Sequence, residues 1–221
     1  MPKNIYLVMF AAFASIALVI SGCSKDSDDD GGGNNTTYTA LDYYPLGVGW
    51  QWTYTDTDGS DTSTTEIVGT TEMDGYTTYI VVDDGSDTIL VQVRNGAIYT
   101  YIAEMDTFIM MIPTTFTIGQ SWTAFDFDTT YNSGGFDYHN WLTISVTALS
   151  TESVDVPAGN FSCIKIASIM EWGTSVDVGD SIIDDVSVDT SYSWVARNVG
   201  DVKDLDSDGG ISVLISYTPG E

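Results

Sequence analysis

The stretch Leu142-Thr143-Ile144-Ser145-Val146-Thr147-Ala148 decides the fold class. Its apolar and polar residues alternate with a period of two, and β-branched residues such as Thr, Ile and Val pack well in strands. In an antiparallel sheet, this alternation places one face on a core and the other face in water. The segment therefore predicts a half-buried β-strand.

The same pattern covers most of the chain. It returns at 50–55 and 211–218, and further candidate strands span 64–68, 77–82, 88–93, 97–102, 108–112, 121–127, 163–170, 181–188 and 192–196. Turn dipeptides separate many of them, and Asn95-Gly96 between two apolar runs is the clearest hairpin signal. No window of a dozen residues keeps a helical period. We therefore expect an all-β domain with one strongly curved antiparallel sheet, half-barrel or barrel-like, with a β-sandwich as the alternative.

The charge balance excludes one class of function. The 221 residues include 32 Asp and Glu, 6 Lys and Arg and 1 His, for a formal net charge of −26. A chain with so few cations cannot neutralise phosphates, so it is not a nucleic-acid-binding protein. A single His and the lack of a Gly-x-Ser-x-Gly motif also argue against a hydrolase triad, and we expect a non-catalytic domain.

The amino-terminal segment predicts export. Lys3 precedes an apolar run at 5–20, which is followed by Ile20-Ser21-Gly22-Cys23. A charged start, a short apolar stretch and small residues describe a signal peptide over residues 1–22, with an uncleaved anchor helix as the alternative. The last four residues resemble the lipobox of bacterial lipoproteins. That resemblance implies that Cys23 carries lipid and that the membrane is the partner of this end of the chain.

Residues 23–37 are acidic and then rich in Gly, Asn and Thr, without an apolar side chain beyond Cys23. Such a segment cannot bury enough surface to offset its ordering entropy, so we expect a disordered tether before a single β domain at 38–221. Ser24 after the lipid position resembles outer-membrane sorting, and the acidic run resembles the tether of surface-exposed lipoproteins. A plain solvated linker is the alternative.

Three segments of the body resemble one family of uncharacterised bacterial exported domains. Residues 43–54 resemble its opening YPL-x-x-G-x-x-W-x-Y, residues 156–166 resemble VPAG-x-F-x-C-x-K-I, and residues 194–203 resemble W-x-A-x-x-V-G-x-V-K. The resemblance implies a strongly bent antiparallel sheet similar to the half-barrels of periplasmic lipoprotein carriers. It implies no established activity.

Two groups of residues are candidate sites. Asp204, Asp206 and Asp208 have the spacing that opens a calcium loop, which makes calcium the one candidate cofactor. Position twelve of that loop is Ile215 rather than Glu, and a plain hairpin loop is the alternative.

The second group is aromatic. Trp50, Trp52 and Trp122 lie in two similar segments in which Gly-x-x-Trp opens a strand. This echo indicates either a duplicated half-sheet or the same way of starting a strand twice. The rings either close the rim of a core or form an exposed binding platform for a ligand.

Three functions remain open for a lipid-anchored envelope protein. The first is a binding or envelope-structural module. The second is a small glycosidase or glycan-binding module, for which Glu171 beside Trp172 is the best carboxylate position. The third is a carrier of a hydrophobic ligand, which an apolar pocket of several hundred Å³ would favour. The oligomeric state is not fixed by the sequence.

Overall fold

The computed structural model describes residues 36–57, 59–177 and 182–221, and almost all of their regular structure is extended. One helical turn, α1, spans Ala40–Tyr43, and a 3₁₀ turn spans Ala103–Met105. The strands are β1 Thr37–Thr39, β2 Gln51–Asp56, β3 Thr62–Met73, β4 Tyr76–Asp83, β5 Asp87–Arg94, β6 Ala97–Ile102, β7 Thr107–Ile112, β8 Thr115–Thr117, β9 Ser121–Ser133, β10 Phe136–Val156, β11 Gly159–Asp177, β12 Ile182–Ala196, β13 Gly200–Leu205 and β14 Ile211–Thr218. The predicted signal peptide and nearly all of the predicted tether lie outside the described residues.

Twelve of the described strands form one antiparallel sheet, in the order β7-β6-β5-β4-β3-β2-β14-β13-β12-β11-β10-β9. It consists of two meanders, β2–β7 and β9–β14, and each opens with a Gly-x-x-Trp strand. A backbone ladder between β2 and β14 joins the meanders at the centre of the sheet. The expectation of one strongly curved sheet is confirmed, and the sheet is nearly closed into a barrel.

The free edges of this sheet, β7 and β9, meet at a seam that a side chain bridges. The indole Nε1 of Trp122 on β9 donates a hydrogen bond of 2.8 Å to the carbonyl oxygen of Met111 on β7. Within the described residues, no backbone ladder joins these two strands. The barrel is therefore closed by a ladder on one side and by this seam on the other.

Tight turns set the register of the meanders. Asn95 and Gly96 both have positive φ, 53° and 84°, as the predicted two-residue hairpin between β5 and β6 requires. Pro157 and Ala158 connect β10 to β11, and Gly159 follows with φ of 143°, which side chains rarely adopt. The predicted hairpin at Asn95-Gly96 is confirmed.

Strands β3 and β9–β12 are longer than their sequence patterns predicted. Strand β10 begins at Phe136 rather than Leu142, and residues 182–196 form one strand instead of two. The outer parts of β9–β12 (residues 128–133, 136–141, 173–177 and 182–188) extend away from the core, and we call them the arm. Its strand β12 exposes Ile182 to 68% and Val188 to 56%. Apolar alternation therefore ends before the strands do.

The amino-terminal segment closes one end of the barrel. Strand β1 pairs with β8, and the rings of Tyr38, Tyr43 and Phe116 pack with centroids 5.8–6.4 Å apart. The Ala40 amide donates to the carbonyl of Thr114, and the Asn198 amide donates to the carbonyl of Asp42. We call residues 37–44 the plug. No helix among the described residues has the length and apolar character that a transmembrane span needs.

Candidate functional site

A cavity of about 570 Å³ opens at the end of the barrel opposite the plug. Strand β13 connects the two regions: it begins two residues after Asn198, whose amide donates to Asp42 of the plug, and it ends at Asp204 and Leu205, which line the cavity together with the plug residue Tyr44. The floor is apolar, and its side chains come from both meanders: Met111, Ile112, Ile144, Val146, Ile166 and Met170. Apolar side chains that face an open cavity are available to a ligand of the same character.

The mouth of the cavity is acidic and rich in hydroxyl groups. Its carboxylates are Asp56, Asp61, Asp83, Asp189, Asp204 and Asp206. Six serines accompany them: Ser63, Ser168, Ser191, Ser193, Ser207 and Ser212. Among the described lining residues there is no Lys, Arg or His. We call these six carboxylates the acidic mouth.

Strand register explains why these polar residues converge. Cross-strand neighbours point to the same face of a sheet. Ile166, Ser193, Asp204, Ser212 and Asp56 are successive partners across β11, β12, β13, β14 and β2. This row therefore runs along the inner wall of the barrel and crosses the ladder that joins the two meanders.

Two neighbouring carboxyl groups on β13 are held in an unfavourable environment for charge. Asp201 is only 1% exposed, and its Oδ1 has no hydrogen-bond partner among the described residues. Burial, and then the charge of Asp204, raises the pKa of Asp201 well above its usual range, although a hydrogen bond with Ser193 lowers it. Burial also raises the pKa of Asp204 to about 7. Burial therefore makes both groups easier to protonate than an aspartate in water.

The tryptophans of the candidate platform lie in the packing of the barrel. Trp52 is fully buried, and Trp50 stacks on it with ring centroids 5.7 Å apart. Trp122 is partly buried and bridges the seam. This placement favours the packing interpretation, because neither Trp50 nor Trp52 presents an open ring face to a ligand.

The three candidate calcium residues do not share one site in the structure. Asp204 faces the cavity, whereas Asp206 Oδ1 accepts hydrogen bonds from the amides of Asp208 and Gly210, at 3.0 and 2.6 Å. In the described part of the chain, no group of three acidic, His or Cys side chains is arranged to hold a metal ion. Asp206 thus stabilises the β13–β14 hairpin, and calcium binding stays an untested prediction.

Other residues that the sequence singled out are dispersed. Cys163 is buried, and burial raises the pKa of its thiol to about 12. Glu171 and Trp172 are neighbours in β11, so their side chains point to opposite faces of the sheet. Cys23 lies outside the described residues, and its lipidation stays a prediction.

A second, shallow cleft lies on the outer face of the arm. His139 stacks on Trp141, with centroids 5.1 Å apart, and its Nε2 lies 2.9 Å from Asp128 Oδ2. The ring of Trp141 covers Gly173, where a Cβ atom would lie 2.3 Å from the indole. These contacts pair His139 with Asp128, and the position of the Trp141 ring explains why β11 has a glycine at 173.

Two of the family-like segments converge on one indole ring. Lys165 on β11 and Lys203 on β13 are the cross-strand partners of Trp194, and their ammonium groups lie 4.7 and 4.6 Å from its ring centroid. Trp194 Nε1 also donates to Glu152 at 2.7 Å. The lysines of these segments therefore stabilise the outer wall through cation–π contacts.

The acidic mouth was missed by sequence reasoning. Ser191, Ser193, Asp204 and Ser212 come from β12, β13 and β14 and line the same cavity. With 26 Asp in the chain, nothing in the sequence distinguishes Asp204 from an aspartate on the surface. Only the register between strands brings these residues together.

Comparison with protein families gives one match. The model of a family described as DUF3108-like matches residues 87–218, which is more than half of the chain. This region contains the second and third family-like segments, whereas the first, at 43–54, lies before it. None of the curated proteins matches the chain.

Two solved structures are similar in shape. One is a candidate lipoprotein from Parabacteroides distasonis, with 15% identity, a TM-score of 0.43, and coverage of 79% of this chain and 97% of the other. The second is a candidate exported protein with a YmcC-like fold from Bacteroides fragilis. It has 16% identity, a TM-score of 0.37, and coverage of 80% of this chain and 98% of the other.

Proposed function

The chain belongs to the DUF3108-like family, and from that premise we propose that it is a non-catalytic binding protein of the bacterial cell envelope. Its β domain holds a small amphipathic molecule in the barrel cavity, and lipid on Cys23 attaches it to the outer membrane. The observation that carries the proposal is the cavity of about 570 Å³ with an apolar floor.

The size and lining of the cavity support a ligand site. Pockets for small molecules usually measure about 300–1,000 Å³ and combine apolar walls with a few polar groups. Floor residues such as Ile144 and Val146 belong to the folded core, so the site is formed before a ligand arrives. A preformed site avoids the entropy cost of ordering loops on binding.

The attachment to the envelope rests on the sequence. The signal segment 1–22 and the lipobox-like Ile20-Ser21-Gly22-Cys23 support export and lipidation. A Cys23→Ala variant should leave the membrane fraction when cells are fractionated. Mass spectrometry of native protein that still carried residues 1–22 would contradict the anchor.

Binding is tested with a neutral fluorescent probe, N-phenyl-1-naphthylamine, and the mature chain produced without lipid. The probe should bind the wild type, because the apolar floor excludes water from its rings. Met170→Trp fills the cavity and should reduce probe affinity at least tenfold. Ile169→Trp is the matched control, since Ile169 is the neighbouring residue on the outer face and is 39% exposed. Equal affinity for both variants would contradict the proposal.

Glycoside hydrolysis is the second candidate, and one observation favours it. A carboxyl group with a pKa near 7, as at Asp204, suits a general acid. Chromogenic glycosides distinguish the two functions. Turnover that is lost in Asp204→Asn would replace the binding proposal by the enzymatic one.

A further inference from the structure

We infer that the ligand of the cavity is a cationic amphiphile, in which an ammonium or amine group meets the acidic mouth and an apolar chain lies on the floor. This inference rests on the proposed function and adds the chemical class of the ligand. It is argued from the distribution of charge in the cavity, from an unpartnered buried carboxyl group, and from the separation of polar and apolar walls.

The first observation is the absence of compensating charge. Six carboxylates line the cavity, and none of the described lining residues is a cation. The described cations are used elsewhere. Lys165 and Lys203 lie against Trp194 on the outer wall, Arg94 lies between Tyr76, Tyr99 and Phe108, and Arg197 pairs with Asp42 at the plug. None of the described cations therefore complements the charge of the acidic mouth.

The second observation is Asp201. Its side chain is 99% buried on the inner wall, beside Ser193 and Asp204, which both line the cavity. Its unpartnered Oδ1 is an uncommon feature, because nearly all buried polar atoms have a hydrogen-bond partner. A cation at Asp204 would favour ionisation of both groups, and would offset the cost of burying them.

The cavity fits an organic cation better than a metal ion. In the described residues, the carboxylates do not converge on one point in the way that a divalent cation requires. Met170 and Asp189 are direct cross-strand partners, so apolar floor and acidic mouth meet side by side. A molecule with a charged head and an apolar tail satisfies both surfaces together.

The test compares decylamine, which is protonated at neutral pH, with decanol, which has the same chain and no charge. Isothermal titration calorimetry uses the mature chain without lipid at pH 7.5 and physiological salt. Decylamine should bind at least tenfold more tightly than decanol, as expected when one charge-assisted hydrogen bond is added. Methylamine, which lacks the tail, should bind at least tenfold more weakly than decylamine.

Variants assign the preference to the mouth. Asp204→Asn and Asp189→Asn should each lower decylamine affinity about tenfold and leave decanol affinity unchanged. Asp155→Asn is the matched control. Asp155 is exposed on β10 outside the cavity, and its substitution removes the same charge. It should change neither affinity.

The outcomes separate the two levels of the proposal. Equal binding of decylamine and decanol, or an equal loss in Asp204→Asn and Asp155→Asn, would overturn the cationic ligand and leave the binding function standing. Methylamine binding as tightly as decylamine would overturn the amphiphile. Absence of binding by both decyl compounds would overturn the proposed function itself.

Discussion

The two junctions between the meanders are built from similar sequences in different ways. Trp52 opens the first meander and lies in the ladder between β2 and β14, fully buried, with Tyr217 as its cross-strand partner. Trp122 opens the second meander and lies at the seam, partly buried, where its indole N–H bridges to Met111. One junction is held by repeated backbone bonds and the other by a side chain. The same Gly-x-x-Trp segment thus occurs at a strong junction and at a weaker one.

Removing β14 should have the largest effect on stability, because it removes the ladder junction and leaves only the seam. A chain ending at Gly210 loses the only ladder that the described residues place between the meanders, and we expect no cooperative unfolding transition in urea. A synthetic peptide of residues 211–221, added in trans, should restore the transition by pairing with β2. A truncated chain that still unfolded cooperatively would show that the seam alone can join the meanders.

Trp52→Ala should cost about 3–5 kcal/mol of unfolding free energy, because it leaves a large cavity in a fully buried site. Chemical denaturation measures the change. Tyr131→Ala on the arm is the control, since this ring is 44% exposed and its loss should cost less than about 1 kcal/mol. A cost below about 1 kcal/mol for Trp52→Ala would remove the distinction between core and arm.

Trp122→Phe should cost about 1 kcal/mol, since it keeps an aromatic ring and removes only the donor to Met111. Hydrogen exchange should become faster at the amides of β7 and β9 and remain unchanged in β2 and β14. Uniform acceleration in all four strands would mean that the seam does not open separately from the rest of the barrel.

The burial of Asp204 on β13 should make the free energy of unfolding depend on pH. Its folded pKa of about 7 exceeds the unfolded value of about 3.9, so the native state holds a proton that the unfolded chain has released. This contribution to stability is complete below the unfolded pKa and is lost as pH rises through about 7. Asp204→Asn should therefore reduce the loss of stability between pH 5 and pH 8. Denaturation curves of wild type and variant with equal pH dependence would contradict this.

The sequence predicted the barrel wall better than its ends. Alternation identified the strands where one face is buried, as at Leu142, Ile144 and Val146. In the arm most side chains contact water, and those of β12 at 182–188 are all exposed, so apolar alternation disappears although pairing continues from Asp137 to Asp177. Strand β14 shows a second limit. Its most buried residue is Leu214 rather than the apolar set 211, 213, 215 and 217, and the shift between Leu214 and Ser216 moves the pattern.

The candidate site was less predictable because it depends on pairs of distant strands. Ser193, Asp204 and Ser212 belong to three strands, and each alone reads as a surface residue. The Asp-x-Asp-x-Asp spacing identified Asp204 as a candidate calcium ligand. In the structure, Asp204 lines the cavity of the barrel. Its position inside the barrel follows from cross-strand register, which a single sequence does not encode locally.

The plug separates the amino-terminal end of the described chain from the open end of the cavity. The described chain begins at Thr36 beside the plug, and the acidic mouth opens at the other end of the barrel. With lipid on Cys23, the predicted tether would join the barrel at its closed end, and the acidic mouth would open away from the point of attachment. A ligand would then reach the cavity from the side on which the arm extends, without passing the tether.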